Sequence, residues 1–167
     1  FDPKSSDYDE ESVAPLRIVV RIAHDNCVIS IDTSGTALYK RGYRQAVGKA
    51  PLRETLAASM IYASAWDCKS PLIDPFCGTG VIPIEAALMA SNVPPGSHRS
   101  FSFQRFPNYK PDIWQHTYEV SLSQHIKCDA AIIGADRDAK VIGMAQENAE
   151  RAGVAGLTSF ECKLLSG

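Results

Sequence analysis

Short apolar runs alternate with segments of helical period along most of the chain. Residues 16–22 and 27–31 are runs rich in β-branched residues and are separated by a polar turn, which predicts an N-terminal β-hairpin. Residues 71–74, 130–136 and 157–162 predict three further strands, each separated from the next by a helical pattern. Alternating strands and helices are typical of an α/β fold with a parallel, doubly wound sheet.

The helical patterns differ in how clearly they begin and end. Pro83 suits the first turn of the second helix, Asp138 caps the last helix, and Gly153 ends it. Residues 97–111 mix aromatic and basic side chains without a period and predict a long loop, in which core packing is favoured over base stacking for the phenylalanines. The predicted helices are residues 52–65, 81–90, 112–127 and 138–152.

The segment Asp-Pro-Phe-Cys-Gly-Thr-Gly at residues 74–80 joins the first of these three strands to a helix. Gly78 and Gly80 permit positive φ and the close approach of a ligand. The dinucleotide fingerprint needs glycine where Pro83 stands, and the P-loop needs Gly-Lys-Ser/Thr, so neither phosphate motif is present. Asp74 at the strand end suits a ligand with an ammonium or sulfonium charge, and S-adenosylmethionine carries both.

Asp136 ends the next predicted strand. An acid in this position can accept hydrogen bonds from both ribose hydroxyls of an adenosyl group. The alternative is an ordinary charge at the N-terminus of the following helix. An insertion at about residues 92–127 separates this strand from the glycine loop.

Composition narrows the class of protein. With 167 residues, 45% of them hydrophobic and 22% charged, the chain is expected to be a soluble globular protein. It has no apolar run long enough to span a membrane and starts with an acidic segment, which favours a cytoplasmic location without a signal peptide. The five cysteines and four histidines lack metal-ligand spacing, so reduced thiols and no metal are expected.

Charge is unevenly distributed although the net charge is only −2. No acid occurs between Asp32 and Glu54, whereas Lys40, Arg41 and Arg44 lie in that stretch. A basic patch of this kind can bind the phosphates of a nucleic acid. The alternative is a solvated basic turn.

Several motifs in one order resemble the THUMP-associated RNA methyltransferases, and in particular the bacterial-type 23S ribosomal RNA guanine N2-methyltransferases. The resemblance covers residues 16–167, and motifs in series are more specific than any single one. They are Asp-Thr-Ser-Gly and Leu-Tyr-Lys-Arg-Gly-Tyr-Arg within 32–44, Ala-Pro-Leu-Arg-Glu-Thr-Leu-Ala-Ala at 50–58, the glycine loop at 74–80, Ile-Glu-Ala-Ala at 84–87, Pro-Pro-Gly with Arg99, and Gly-Ala-Asp-Arg-Asp at 134–138.

The resemblance implies a class I, Rossmann-like methyltransferase sheet that binds S-adenosylmethionine. Asp136 would take the ribose hydroxyls, with Arg137 beside the adenine. The methionine and ribose end would be wrapped by Asp74, Pro75, Phe76, Cys77, Gly78, Thr79 and Gly80, and the site would be closed by Arg53, Glu54 and Thr55. Ordinary helix polarity for Glu54 and Thr55, and a small buried filler role for Cys77, stay open as alternatives.

The chain departs from the family pattern at two places. Leu164 stands where related sequences have an acid that contacts the adenine amino group. The family's catalytic Asn/Asp-Pro-Pro-Tyr/Phe loop follows a fourth strand and is not in this chain, so no catalytic residue is assigned. We therefore expect a sheet truncated after its third strand, with a lead-in at 1–15, a hairpin and basic connector resembling the join to a THUMP domain at 16–49, and half a methyltransferase domain at 50–167.

The predicted function is S-adenosylmethionine-dependent methylation of the exocyclic N2 of a guanine in large-subunit ribosomal RNA. The alternative is a catalytically incomplete RNA-binding or interaction module that keeps the fold. A nicotinamide-dependent oxidoreductase is disfavoured by Pro83. The expected partner is RNA, and the sequence leaves the oligomeric state open.

Overall fold

The computed structural model describes residues 15–45 and 52–164, which form two compact units. Pro51, which directly precedes the first predicted helix at residues 52–65, lies outside these residues. In the part of the chain described, no helix is long and apolar enough to cross a membrane. The first unit is made of residues 15–37 and 101–109, and the second of residues 38–45, 52–100 and 110–164.

The first unit contains the predicted hairpin. Strands β1 (Ile18–Ala23) and β2 (Asn26–Ile31) are antiparallel, and Ala23 pairs with Asn26 at the closed end. The two turn residues, His24 and Asp25, have φ of 48° and 59°. A two-residue turn with positive φ at both positions matches the twist of the strands, which explains why a short polar turn suffices here.

The rest of the first unit comes from the predicted long loop. Ser102–Arg105 form a short 3-10 helix, and the Phe103 amide donates a hydrogen bond to the Thr33 carbonyl at 3.1 Å. The rings of Phe101 and Phe103 are stacked with centroids 5.5 Å apart. The loop is therefore partly regular, and these aromatic side chains contact one another.

The second unit is built on the parallel sheet predicted from the sequence. Strands β3 (Leu72–Asp74), β4 (Ile132–Asp136) and β5 (Thr158–Cys162) lie in the order β3-β4-β5 and are all parallel. Asp74 is opposite Gly134, and Asp136 is opposite Cys162. Both acids thus end their strands at the same edge of the sheet.

The four predicted helices are all present: the second has its predicted bounds, and the other three are shorter than predicted by two to four residues. Gly80 precedes the second helix, and the Asp138 side chain accepts a hydrogen bond from the Lys140 amide at 2.8 Å at the start of the fourth. Asp138 is therefore the N-cap that the sequence predicted. The helices are α1 (Glu54–Ala63), α2 (Val81–Ala90), α3 (Pro111–Ser123) and α4 (Ala139–Arg151).

Helix α2 lies at the centre of the second unit. It contacts α1, α4, β3, β4 and β5, and Ile84, Ala86 and Ala87 on it are fully buried. Eight of its ten residues are buried, as expected of a helix that is apolar on nearly all sides. Its N-terminus is held firmly as a result, and this fixes the position of the glycine loop that leads into it.

The connector at residues 38–45 packs with the second unit, whereas the predicted division grouped it with the hairpin. The reason is Tyr43, whose side chain is 1% exposed and belongs to the core of that unit. Burial of this one aromatic side chain holds the connector against the second unit, although the residues around it are polar.

Candidate functional site

Two carboxylates lie at the carboxyl ends of neighbouring parallel strands. Asp74 ends β3 and Asp136 ends β4. Burial raises the pKa of Asp74 above its usual range, and the charge of Asp136 nearby raises it further. This edge of the sheet therefore concentrates negative charge in a partly desolvated place, which favours a cationic or hydroxyl-bearing ligand over a phosphate.

The glycine loop is fastened to both strands by backbone amides. The Phe76 amide donates to an Asp74 carboxylate oxygen at 3.1 Å, and the Gly78 amide donates to Asp136 Oδ2, also at 3.1 Å. The Cys77 amide donates to the Ala135 carbonyl at 2.9 Å. The loop thus has a fixed shape that both acids help to set.

The two glycines of the loop are required for different reasons. Both are left-handed, with φ of 52° at Gly78 and 82° at Gly80. A Cβ at Gly80 would lie 2.9 Å from Ala145 Cβ and 2.9 Å from the Phe160 ring, whereas a Cβ at Gly78 would meet nothing within 4 Å. Gly80 thus allows close packing, and the space at Gly78 is open to a ligand.

Cys77 is buried within this loop, and its thiol is neutral. Burial and the charges of Asp74 and Asp136 raise the pKa of Cys77 to about 12. A nucleophilic role at neutral pH is therefore disfavoured. The geometry supports the alternative role of a small buried filler.

A pocket of about 440 Å³ opens beside Asp136. Lys163 belongs to its wall, and its backbone amide donates to the Asp136 carbonyl at 3.0 Å while its ammonium group pairs with Glu161. Lys163 was not predicted from the sequence as a site residue, although its position directly after β5 could have indicated that it lies at the site. The pocket is lined by Pro75, Phe76, Asp136, Arg137, Lys163 and Leu164.

The three residues predicted to close the cofactor site differ in their contacts and in their exposure. The Arg53 guanidinium lies over the Tyr39 ring, 5.1 Å from its centroid. Glu54 is only 3% exposed and pairs with Arg44 at 3.4 Å, while Thr55 is exposed. Glu54 thus attaches α1 to the connector, which goes beyond the first-turn polarity that the sequence offered as an alternative.

Two of the three side chains predicted to bind phosphate form ion pairs inside the second unit. The Arg44 side chain is 7% exposed and pairs with Glu54, and the Arg41 side chain is 13% exposed and pairs with Glu85 at 3.4 Å. Their charges are neutralised there, since a buried glutamate requires a cationic partner. Arg41 and Arg44 are thus paired with buried glutamates, whereas Lys40 is exposed.

Glu85 is held by a second group that the sequence did not reveal. The Tyr43 hydroxyl donates to Glu85 Oε1 at 2.9 Å. Burial raises the pKa of Glu85, and Arg41 and this hydrogen bond oppose the rise. Glu85 thus anchors the connector to α2. Within residues 15–45 and 52–164, no group of three or more His, Cys, Asp or Glu could hold a metal ion.

The parallel sheet has two acids at the carboxyl ends of adjoining strands, around a glycine loop without a phosphate-binding motif, and this agrees with the methyltransferase fold that the sequence resemblance implied. The chain belongs to the UPF0020 family, described as the RMKL-like methyltransferase domain, which matches residues 41–166. The family and the α/β methyltransferase fold predicted from the sequence are thereby confirmed.

Similar proteins agree with this assignment. The chain is 42% identical over 155 residues to ribosomal RNA large subunit methyltransferase K/L of Vibrio cholerae, covering 90% of this chain and 22% of that protein. It is 38% identical over 159 residues to YpsC of Bacillus subtilis, a candidate RNA methyltransferase, covering 95% of this chain and 41% of YpsC. The crystal structure of SMU.472 complexed with SAH superposes with a TM-score of 0.80 at 30% identity, covering 90% of this chain and 39% of SMU.472.

The chain therefore spans about a fifth to two fifths of the length of these relatives. The complex of SMU.472 with SAH supports the cofactor class that the two acids and the glycine loop indicate.

Proposed function

We propose that this chain forms the cofactor-binding part of an S-adenosylmethionine-dependent RNA methyltransferase whose substrate is large-subunit ribosomal RNA. The observation that carries the proposal is the pair of acids, Asp74 and Asp136, at the ends of neighbouring strands around an open glycine turn. The names of the Vibrio cholerae and Bacillus subtilis relatives support RNA as the substrate class.

Each acid has a distinct task in this proposal. Asp74 binds a positive charge at the methionine end of the cofactor, since its own environment disfavours an unpaired carboxylate. Asp136 binds the ribose hydroxyls. A carboxylate has about four lone-pair sites, so Asp136 can keep its bonds to the Gly78 and Asp138 amides and still accept from a hydroxyl.

The remaining wall of the site completes the cofactor pocket. Phe76 is 73% exposed and, with Arg137, lines the cavity beside Asp136, where a flat adenine ring can lie against them. Lys40 on the surface contributes a contact to an RNA phosphate, with the salt dependence that such contacts show.

The chemistry requires binding and orientation rather than a covalent intermediate. Bound S-adenosylmethionine supplies an activated methyl group for in-line transfer to an exocyclic amine, which we propose to be N2 of a guanine. The residues of this chain hold the cofactor in one orientation and exclude water from around it, which are the main contributions to such a transfer. A base in folded RNA reaches the site when it is extruded or single-stranded.

The test uses the intact protein that carries this sequence. Calorimetric titration with S-adenosylhomocysteine measures cofactor binding, and methyl transfer to undermethylated 23S ribosomal RNA, followed by mass spectrometry of the nucleosides, measures the reaction. N2-methylguanosine is the expected product. Another methylated nucleoside would overturn the choice of base, binding without transfer would favour the non-catalytic module, and absence of binding would overturn the proposal as a whole.

A further inference from the structure

A line of hydrogen bonds runs from the glycine loop through helix α4 to the connector. Asn148, which is fully buried, donates from Nδ2 to the Thr79 carbonyl at 3.2 Å. Its Oδ1 accepts a hydrogen bond from the Arg151 guanidinium at 2.8 Å. The same guanidinium donates from Nε to the Tyr43 carbonyl at 3.0 Å. Two side chains of α4 thus link residues 79 and 43.

Arg151 determines which way the Asn148 amide points. A guanidinium only donates, so it must meet the oxygen of the amide, and the amide nitrogen is then directed to the Thr79 carbonyl. The opposite orientation would place two donors together at Arg151 and two acceptors together at Thr79. The hydrogen bonds of Asn148 with Thr79 and with Arg151 therefore depend on each other.

The Thr79 carbonyl belongs to a peptide plane that shapes the cofactor loop. This plane joins Thr79 to the left-handed Gly80, and its N–H, on Gly80, donates to the Cys77 carbonyl at 2.8 Å. The plane between Cys77 and Gly78 is held in turn by Asp136. The two ends of the glycine turn are therefore fixed by one side chain from β4 and one from α4.

The far end of the line is rigid as well. Tyr43 is 1% exposed, and its hydroxyl donates to Glu85, which is itself buried on the helix that follows the loop. Since the carbonyl of Tyr43 cannot move without disrupting this packing, Arg151 has a fixed acceptor. The line is anchored at both ends.

We propose that Asn148 is a positioning residue for cofactor binding and that Arg151 sets its orientation. The inference rests on the proposed function, because it assigns to these residues the task of keeping the glycine turn in the shape that binds the cofactor. A loop already held in its binding shape loses less freedom when the ligand arrives, and affinity rises accordingly.

Asn148→Asp is the sharpest test, since it keeps the size of the side chain and removes the donor to Thr79. We expect the dissociation constant for S-adenosylhomocysteine, measured by calorimetry on the intact protein, to rise roughly tenfold, the value of one buried hydrogen bond. Ile142→Ala is the matched control, because it lowers stability from another buried position on the same helix and leaves the side chains of Asn148 and Arg151 unchanged. If the affinity of the Asn148→Asp protein for S-adenosylhomocysteine fell by no more than that of Ile142→Ala, the proposal would be overturned.

Arg151 gives a second test with a milder change. Arg151→Met should weaken binding about threefold or more through the freed Asn148 amide, and Arg151→Lys should lie between that variant and the parent protein. Glu147→Gln removes only the ion pair of Glu147 with Arg151 at 3.7 Å, so it should leave the affinity unchanged. An equal loss in Glu147→Gln and Arg151→Met would show a charge effect and overturn the role given to the hydrogen bonds.

Hydrogen exchange separates this inference from the proposed function, because it needs no cofactor. In Asn148→Asp the Gly80 amide should exchange at least tenfold faster than in the parent protein, while amides of β4 keep their rates. Failure of the parent protein to bind S-adenosylhomocysteine would refute the proposed function alone. Unchanged exchange at Gly80 would refute the positioning role whatever the binding result.

Discussion

The Gly78 amide donates a hydrogen bond to the Asp136 carboxylate at 3.1 Å, across 58 positions of sequence. The acid that ends β4 therefore shapes the loop that follows β3 before any ligand is present. Its other oxygen accepts from the Asp138 amide at 3.0 Å and so fixes the start of α4. The glycine loop and the second acid form one structural element and should respond together to substitution.

Asp136→Asn should weaken S-adenosylhomocysteine binding by roughly 10–100-fold, since hydrogen bonds to a charged acceptor contribute about 1.5–3 kcal/mol. Asparagine has one accepting oxygen in place of two, so it can keep the hydrogen bond from the Gly78 amide or the one from the Asp138 amide but not both, and the ribose loses a charged acceptor. Calorimetry on the intact protein measures the change. Asp138→Asn is the matched control, because asparagine caps a helix as well as aspartate does, and it should leave the affinity unaltered.

Asp74→Asn should have opposite effects on stability and binding. The carboxylate is disfavoured in the folded protein by burial and by Asp136, and an asparagine oxygen can still accept from the Phe76 amide. We expect a higher free energy of unfolding at pH 7.5 without cofactor, together with cofactor affinity lowered roughly tenfold by loss of an opposite charge. Urea denaturation and calorimetry give the two quantities. Reduced stability with unchanged affinity would contradict this account.

The raised pKa of Asp74 also predicts a pH dependence. Between the ordinary value of 3.8 and the raised value, the folded state binds more protons at this group than the unfolded state. The contribution of Asp74 to the free energy of unfolding therefore increases as pH falls through that window. Cofactor affinity should move the other way, because protonation removes the charge that binds the cofactor. In Asp74→Asn both profiles should be flatter between pH 4 and pH 8 than in the parent protein, while the stability trend that comes from the raised pKa of Glu85 stays.

Residues close in sequence gave the reliable predictions. The strands that carry Asp74 and Asp136, the left-handed glycines and the Asp138 cap are local patterns, and the structure has each of them. The partners of charged side chains were harder to predict. Whether Arg44 meets a phosphate or a buried glutamate depends on what folding brings beside it, and composition contains no such information. The line from Tyr43 to Thr79 is equally invisible in sequence, since its members belong to three separate segments.

The two loop glycines should separate stability from binding. Gly80→Ala places a Cβ 2.9 Å from Ala145 Cβ and 2.9 Å from the Phe160 ring, on a residue whose φ is positive. The free energy of unfolding should therefore fall by about 2–4 kcal/mol. Gly78→Ala has the backbone cost alone, about 1–2 kcal/mol, but its methyl group occupies the open space where the ligand is proposed to lie. Relative to the loss of stability, the loss of cofactor affinity should therefore be larger in Gly78→Ala than in Gly80→Ala. Denaturant midpoints and calorimetry on both variants test the order.

The buried pair of Arg44 and Glu54 predicts that a residue of the basic connector is structural. Arg44→Met leaves the Glu54 carboxylate, 3% exposed, without its cation, and such a loss costs about 3–5 kcal/mol. Replacing both partners, as in Arg44→Met with Glu54→Leu, should restore much of that stability, because no unpaired charge remains. Chemical denaturation of the two single variants and the double variant gives the coupling between them.

Lys40→Met is the matched control for this connector, because its side chain is exposed in the same acid-free stretch. It should leave the free energy of unfolding within about 0.5 kcal/mol of the parent value and should reduce both RNA affinity and its salt dependence. Filter binding of a 23S ribosomal RNA fragment at several salt concentrations measures the second effect. If Arg44→Met kept full stability and instead lost RNA binding as Lys40→Met does, the guanidinium of Arg44 would be facing phosphate, and the pairing with Glu54 would not hold in solution.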